Sequence, residues 1–366
     1  MKNTFGNNLS VTLFGESHGP AVGCVIDGIA PGVKIDMDYV RLCLSQRASR
    51  TDISTPRREA DEIEFLSGVK NMTTEGTPVC LIIRNSSQAS ADYASIESTP
   101  RPSHADMSAE YKYHGYQDKS GGGHFSGRIT APLVAAGAII RYALMQKGIL
   151  IGTHVKRLHG ITDEEFSNLA ADIELLSGAE FPALSADARD KMIKEIRSAG
   201  ESLDSVGGIL ETAVIGMPKG VGEPWFDTVE GMLSHALFSI PAVKGVEFGD
   251  GFALADMTGS EANDPILYSE GEIVTEKNSN GGILGGITNG MPIIFRVAVK
   301  PTPSISKEQR TVDLATGKET VISVGGRHDP AVVHRARAVV DAVTAITLAD
   351  LLVTAYGTDY LAGGKL

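Results

Sequence analysis

Three short polar segments carry the side chains that could move a proton or bind an anion. The first is Gly15-Glu16-Ser17-His18-Gly19-Pro20, where glycines on either side leave His18 with little steric shielding. Histidine is the side-chain type suited to acid/base work near neutral pH, although a lone one in a turn is commonly just a turn residue. The second is Arg101-Pro102-Ser103-His104-Ala105-Asp106, within a polar, turn-rich stretch over 85–117 that goes on through Tyr111, Tyr113, His114 and Tyr116. Irregular stretches of that length inside a compact domain are usually functional, which favours His104 as an acid/base group. The third is Gly325-Gly326-Arg327-His328-Asp329-Pro330. Asp329 is either a carboxylate available for chemistry or an N-cap worth about 1 kcal/mol to the helix that follows it.

Between the second and third segments lies Ser120-Gly121-Gly122-Gly123-His124-Phe125-Ser126-Gly127-Arg128-Ile129-Thr130, followed by an apolar run with Pro132 in its first turn. Three glycines permit positive φ or close approach to a ligand, and a helix start offers unpaired N–H groups and the positive dipole end. The junction therefore reads as an anion site with Ser126, Arg128 and Thr130 as added donors, or equally as a glycine turn ahead of a core helix. Arg41, Arg47, Arg50, Arg57 and Arg58 crowd into a short span of an otherwise acidic chain. A guanidinium fork suits carboxylate or phosphate, which favours a binding role for Arg47. Arg57 and Arg58 are equally well explained as surface charge balanced by Glu59, Asp61, Glu62 and Glu64.

The elements that must position these groups follow from patterning. Leu9–Phe14, Ala21–Ile26, Thr77–Arg84, Gly208–Met217 and Pro292–Val299 read as strands. Asp36 caps a helix through about Gln46, and the runs after Thr130 and from Ala331 to Val353 are helices apolar nearly all round, hence buried. Over 161–200, Thr162 with Glu165 predicts a capping box and Ser185 caps a second helix, a charged amphipathic pair forming a peripheral excursion. Asp227 with Glu230 predicts another capping box, Asp329 an N-cap with Pro330 first in its helix, and Lys300-Pro301-Thr302-Pro303 an extended linker. Glycines, an arginine and a core helix recur in both halves, although the residue match between them is weak.

Composition narrows the function. The chain has 366 residues, 41 glycines and a formal net charge of −12, which disfavours nucleic acid or an anionic membrane as partner. Cys24, Cys43 and Cys80 are widely spaced in apolar surroundings and read as small core residues. No metal-ligand spacing such as His-Glu-x-x-His occurs, so no metal is expected. The N-terminal stretch lacks the apolar segment of a signal peptide, which makes the cytoplasm the default location.

Taken in order, Gly15–Gly19, Arg101–Asp106, Gly121–Thr130, Ser239–Gly249, Asn280-Gly281-Gly282-Ile283-Leu284-Gly285-Gly286 and Gly325–Pro330 closely resemble the motifs of chorismate synthase, collinear from about residue 5 to 355. The resemblance implies an α+β fold, a single β-α-β sandwich with apolar helices between antiparallel sheets, and a homotetramer. It implies loss of phosphate from 5-enolpyruvylshikimate 3-phosphate by anti-1,4-elimination, with reduced FMN required and no net redox change. It places His18 near the leaving phosphate, His104 near reduced flavin, Asp329 at the substrate proton, and Ser17 and Ser126 as orienting groups. FMN contacts fall on His124, Phe125, Ser126, Pro241, Ala242, Gly286, Pro301, Thr302, Pro303, Ser304, Ile305 and Arg327. Arg47 and Arg128 are assigned to substrate or pyridine nucleotide.

The chain departs from the common family pattern at His124, Phe125 and Gly127, where many relatives carry Arg, Ser and Ala, at Ser103 in place of glycine, and in a thinned arginine stretch near 47. NADPH is a possible reductant, but no Rossmann fingerprint is visible and an external flavin reductase is expected. The competing readings are an FMN oxidoreductase with net hydride transfer and a flavin carrier; a carrier has no need of two histidines and an aspartate in its ligand loops.

Overall fold

The computed structural model describes residues 2–49, 53–54, 61–85, 98–325 and 328–363. The N-terminal part supplies β1 (Thr4–Phe5), β2 (Ser10–Gly15), β3 (Ala21–Asp27), helix α1 (Met37–Arg47), β4 (Ile63–Ser67), a small hairpin of β5 (Val69–Lys70) and β6 (Thr73–Thr74), and β7 (Val79–Arg84). Asp36 caps α1 as expected, its side chain accepting from Tyr39 N at 2.9 Å. Five of these strands form an antiparallel sheet in the order β1-β2-β3-β7-β4.

The remainder adds α2 (Asp106–Tyr113), α3 (Thr130–Met145), β8 (Leu150–Leu158), β9 (Ile161–Thr162), α4 (Leu169–Gly178), α5 (Ala186–Glu201), β10 (Gly208–Ile215), α6 (Val229–Ser239) and β11 (Val243–Phe248). After a short α7 (Gly259–Ala262) come the hairpins β12 (Ile266–Ser269) with β13 (Glu272–Thr275), and β14 (Ile283–Leu284) with β15 (Ile287–Thr288). Then follow β16 (Ile293–Val299), the hairpin β17 (Gln309–Asp313) with β18 (Lys318–Ile322), and α8 (Val333–Tyr356). The second large sheet is antiparallel with order β11-β16-β10-β8-β9.

Helices α3 and α8 lie between the sheets, α3 against β2, β3 and β7, α8 against β8 and β10. Their apolar character on every side follows from that position, since no face meets water. The α+β sandwich is thus observed. Both are long and apolar enough to span a bilayer, but 89% of each apolar window is buried within the protein, so here they are core helices.

The two helices cross at Gly137, where an added Cβ would lie 2.3 Å from Ala342 Cβ. Gly137→Ala should therefore cost about 1–3 kcal/mol through overpacking, despite alanine's better helix propensity. A denaturant midpoint unchanged or raised would show that the crossing relaxes freely.

Gly152 and Thr153 of β8 face opposite sides. Thr153 Oγ1 donates to Asp341 Oδ1 of α8 at 2.6 Å, whereas Gly152 lies under Ile173 of α4. The 161–200 segment therefore covers the outer face of the second sheet. It is fastened there by His154, fully buried, with Nδ1 2.8 Å from Asp163 Oδ2 and Nε2 3.1 Å from Glu211 Oε2. Both ring nitrogens face carboxylates, so both carry protons. Burial opposes the charge, but the hydrogen bonds His154 donates to Asp163 and Glu211 win and raise its pKa. The imidazolium's contribution to stability is complete at acidic pH and is lost as pH rises through the raised value, while the depressed carboxylates lose theirs as pH falls. His154→Gln should accordingly lower the denaturation midpoint most on the acidic side of neutrality and progressively less at alkaline pH; a pH-independent deficit would contradict this.

Several expected caps are corrected. The 161–200 excursion has no Thr162–Glu165 capping box: Thr162 ends β9, and α4 is capped by Asn168, which accepts from Ala171 N. Ser185 precedes α5 but makes no side-chain cap; its N–H is held instead by Asp163. The cap of α6 is Thr228 rather than Asp227, because its hydroxyl reaches Gly231 N at 2.9 Å. The polar stretch over 85–117 contains α2, and α8 starts at Val333, three residues beyond Pro330.

Candidate active site

The glycine loop over Ser120–Phe125 is kinked at its centre, with non-helical backbone and φ of 59°, 86° and 52° at Gly121, Gly122 and Gly123. A Cβ on Gly121 would lie 2.0 Å from His18 Cε1, so only glycine fits against that imidazole. Ser17, fully buried, fastens the loop from behind. Its N–H donates to Gly123 O, and its hydroxyl lies 3.1 Å from Ser120 O, 3.2 Å from Gly121 O and 3.1 Å from His18 Nδ1. Ser126 then caps the next turn by accepting from Arg128 N, and the chain enters α3.

In front of this loop opens a cavity of about 980 Å³. Of the expected catalytic residues His104, Ser126 and Asp329 line it, while Ser17 and His18 stand one layer behind Gly121. Arg47 and Arg128 line it, as do His124, Phe125, Pro241, Ala242, Thr302, Pro303 and Ser304. Pro301 and Ile305, at the ends of the linker, do not. Gly286 is elsewhere, turning the β14–β15 hairpin against Thr228, with its carbonyl accepting from Val229 N. Arg327 lies outside the described residues, as do Arg50, Arg57 and Arg58.

His104 is held by its neighbours two and three residues away. Nδ1 is 2.5 Å from Asp106 Oδ1, and Arg101 grips the same carboxylate through Nε at 2.7 Å, Nη2 at 2.8 Å and its backbone N–H at 3.0 Å. A carboxylate at Nδ1 fixes the proton there and leaves Nε2 on the side of Gly122 and the cavity. Burial pushes the Asp106 pKa up, but hydrogen bonds from Arg101 and His104 outweigh it and hold the carboxyl far below the ordinary range. Arg101 Nη1 also reaches Ser304 Oγ at 3.3 Å, which ties this group to the proline linker.

The opposite wall is a chain of charges. Arg128 Nε donates to Asn85 Oδ1, Arg128 Nη1 and Arg47 Nη2 both donate to Asp61, Arg335 Nε donates to the Arg47 carbonyl, and Arg335 Nη1 donates to Asp329 Oδ2 at 2.6 Å. Burial raises the Asp61 pKa less than the two guanidiniums lower it, so the carboxyl sits below its usual value. Asp329 is thus anchored from within α8 rather than capping it.

The described lining holds six lysines and arginines (Lys2, Arg47, Arg128, Lys244, Lys300, Arg335) against two aspartates (Asp61, Asp329), a positive cavity in a protein of net charge −12. Such focusing attracts anions. Two buried donors lining the cavity, Arg47 Nε and Thr302 Oγ1, have no partner among the described residues. Buried polar atoms without partners are costly and point to a ligand that supplies them. His124 Nδ1 donates to Gly15 O at 2.9 Å, and Phe125 is steadied edge-on by Tyr113.

The sequence profile of the chorismate synthase family matches residues 9–353. The chain belongs to the chorismate synthase family. It is 46% identical to the chorismate synthase of Thermococcus gammatolerans, covering 95% of this chain and 96% of the relative, and 46% identical to that of Dehalococcoides mccartyi, covering 97% and 98%. A crystal structure of chorismate synthase superimposes with a TM-score of 0.75 at 30% identity, over 96% of this chain and 93% of the other.

In a chorismate synthase the chemistry-bearing side chains need supports, and the sequence reading missed most of those here. Asp106 was visible as an acid two residues after His104, a spacing that places a carboxylate beside an imidazole in a turn. Asp61, which one of the two equal readings of the arginine cluster sets among the acids balancing Arg57 and Arg58, lies between Arg47 and Arg128, and Glu64 pairs with Arg84. Arg335, inside an apolar run, gave no local signal. His235, edge-on to Phe5, and Lys300, donating to Ser103 O, complete the mouth.

Proposed function

We propose that the chain converts 5-enolpyruvylshikimate 3-phosphate into chorismate by anti-1,4-elimination of phosphate, a carbon–oxygen lyase reaction with no net redox change. The observation that carries this reading is that one cavity gathers His104 and Asp329 under a wall of arginines. A substrate with two carboxylates and a phosphate suits that wall, since guanidinium forks bind carboxylates and phosphates with two bonds at once.

The cavity also fits reduced FMN: its volume exceeds the substrate's needs, and Thr302 Oγ1 is a buried donor in want of an acceptor. His124, Phe125, Ser126, Pro241, Ala242, Thr302, Pro303 and Ser304 would hold it. The chemistry that reduced FMN would supply there is a transient loan of electron density, with no net redox change. Asp329 takes the carbon-bound proton at its carboxylate, held by Arg335. His104 keeps or delivers a proton at Nε2, its other nitrogen being committed to Asp106. Arg47 and Arg128 orient the anionic groups, and the glycine loop, backed by Ser17 and His18, walls the site off from water.

The reductant is external, from a flavin reductase, rather than NADPH bound in a second domain; the lack of a Rossmann fingerprint supports this. The setting is the cytoplasm and the assembly a homotetramer, supported by Ile266, Tyr268 and Ile273, which expose one apolar face of the β12–β13 hairpin. Incubated without oxygen with chemically reduced FMN, the protein should turn the substrate into inorganic phosphate and a ring diene visible by NMR. A hydrated or reduced product would contradict the lyase assignment.

A further inference from the structure

The elimination as written leaves no task for the most tightly enclosed carboxylate of the cavity wall. The Asp61 side chain is 7% exposed, and each of its oxygens serves a different arginine: Oδ2 accepts from Arg47 Nη2 at 2.8 Å and Oδ1 from Arg128 Nη1. These guanidiniums come from separate elements, Arg47 from the end of α1 and Arg128 from the turn before α3, so nothing in the local chain sets their spacing. A shared carboxylate does. Arg47 keeps a buried Nε without an acceptor among the described residues, and its carbonyl holds Arg335, which holds Asp329. Three arginines and two aspartates leave this chain of groups with a single net positive charge. Without Asp61 the same wall would carry two, closely spaced and free to close on any small oxyanion.

Resting on the elimination reading, we infer that Asp61 is a positioning and specificity residue: it spaces Arg47 and Arg128 for the extended organic anion and keeps them from collapsing onto inorganic phosphate, the released product. Discrimination of this kind needs an unfavourable element against the wrong ligand as well as contacts to the right one, and a buried carboxylate beside the arginines is such an element. It repels a compact phosphate that would have to share both guanidiniums with it. A larger substrate engages the remaining edges without displacing it.

The test compares wild type, Asp61→Asn and Asp61→Glu, reading inorganic phosphate affinity by calorimetry and KM and kcat with reduced FMN under anaerobic conditions. Asp61→Asn should bind phosphate about tenfold more tightly and raise KM by about tenfold, with kcat falling less than KM rises. Asp61→Glu, which keeps the charge but shifts the spacing, should raise KM while phosphate affinity stays near that of wild type. Phosphate affinity and KM both unchanged in Asp61→Asn would overturn the proposal, and so would a reduced active fraction with normal KM. If Asp61→Asn does not fold, Asp61→Glu decides: an unaltered KM overturns the inference, and a raised KM at constant phosphate affinity supports it. A wild type that binds phosphate but does not turn over would defeat the elimination reading alone, because the phosphate comparison still judges Asp61.

Discussion

Asp329→Asn is expected to lower kcat by about 10³, within the range found when a positioned acid or base is removed. The amide is the same size and still offers Arg335 an oxygen, so the ion-pair geometry loses its charge but not its shape. What disappears is the capacity to accept a proton. Substrate and flavin binding should survive, since the arginines and the loop are untouched; equilibrium binding of each ligand checks this beside the rate. A kcat within threefold of wild type would show that the proton leaves to another group, and Asp329 would become a tether for Arg335.

Asp106→Asn should lower kcat by about 10² by releasing the tautomer and orientation of His104, the effect expected when a base keeps its place but loses its orienting carboxylate. The side chain at 106 is a carboxylate throughout the neutral and mildly acidic range, because its pKa is held far down by Arg101 and His104 against the opposing pull of burial. Its stabilising contribution is present above the ordinary carboxylate range and disappears only as pH falls through the depressed value. The pH–rate profile of wild type should therefore show no limb from Asp106 near neutrality, and the rate lost in Asp106→Asn should be the same across the neutral and mildly acidic range, where the wild-type side chain stays charged. Arg101 loses its partner in the same variant, so folded fraction and flavin affinity need to be measured with the rate. A kcat within threefold of wild type would mean that Asp106 serves only to hold Arg101.

How much of this was legible in the sequence depends on the range of the signal. Helices α3 and α8 announced themselves by being apolar on every side, and both fill the space between the sheets. Strands β2, β3, β7, β10 and β16 were readable from β-type runs and α1 from Asp36, whereas β1, β4, β8, β9 and β11, the other five strands of the two large sheets, were not. Features that depend on a single cap were less secure: Thr162 lies in a strand because β9 pairs with β8, and Asp329 is drawn away from the start of α8 by Arg335. Neighbouring residues, a hairpin partner in one case and Arg335 six positions on in the other, overrode the capping preference. Helix α2 was hidden because Tyr, Lys and Ser give little amphipathic contrast in eight residues.

The same division holds at the site. Segments carrying His104, Ser126 and Asp329 were identifiable by residue type and glycine context, and they do meet around one cavity. That His18 and Ser17 lie behind the loop could not be read from the chain, since it depends on Gly121 packing against the imidazole. Nor could the partner of Arg47, because Asp61 is fourteen residues away and Arg128 belongs to another element. Pairings between distant charges leave no periodicity to find.

The most direct test of the account is to count inorganic phosphate released per reduced FMN under strict exclusion of oxygen, with oxidised FMN as the control. The elimination predicts many phosphates for each reduced flavin, none with oxidised flavin, and no net consumption of reductant. One phosphate or fewer per reduced flavin, with reductant used up in proportion, would contradict it and mark the cavity as the site of a net redox reaction.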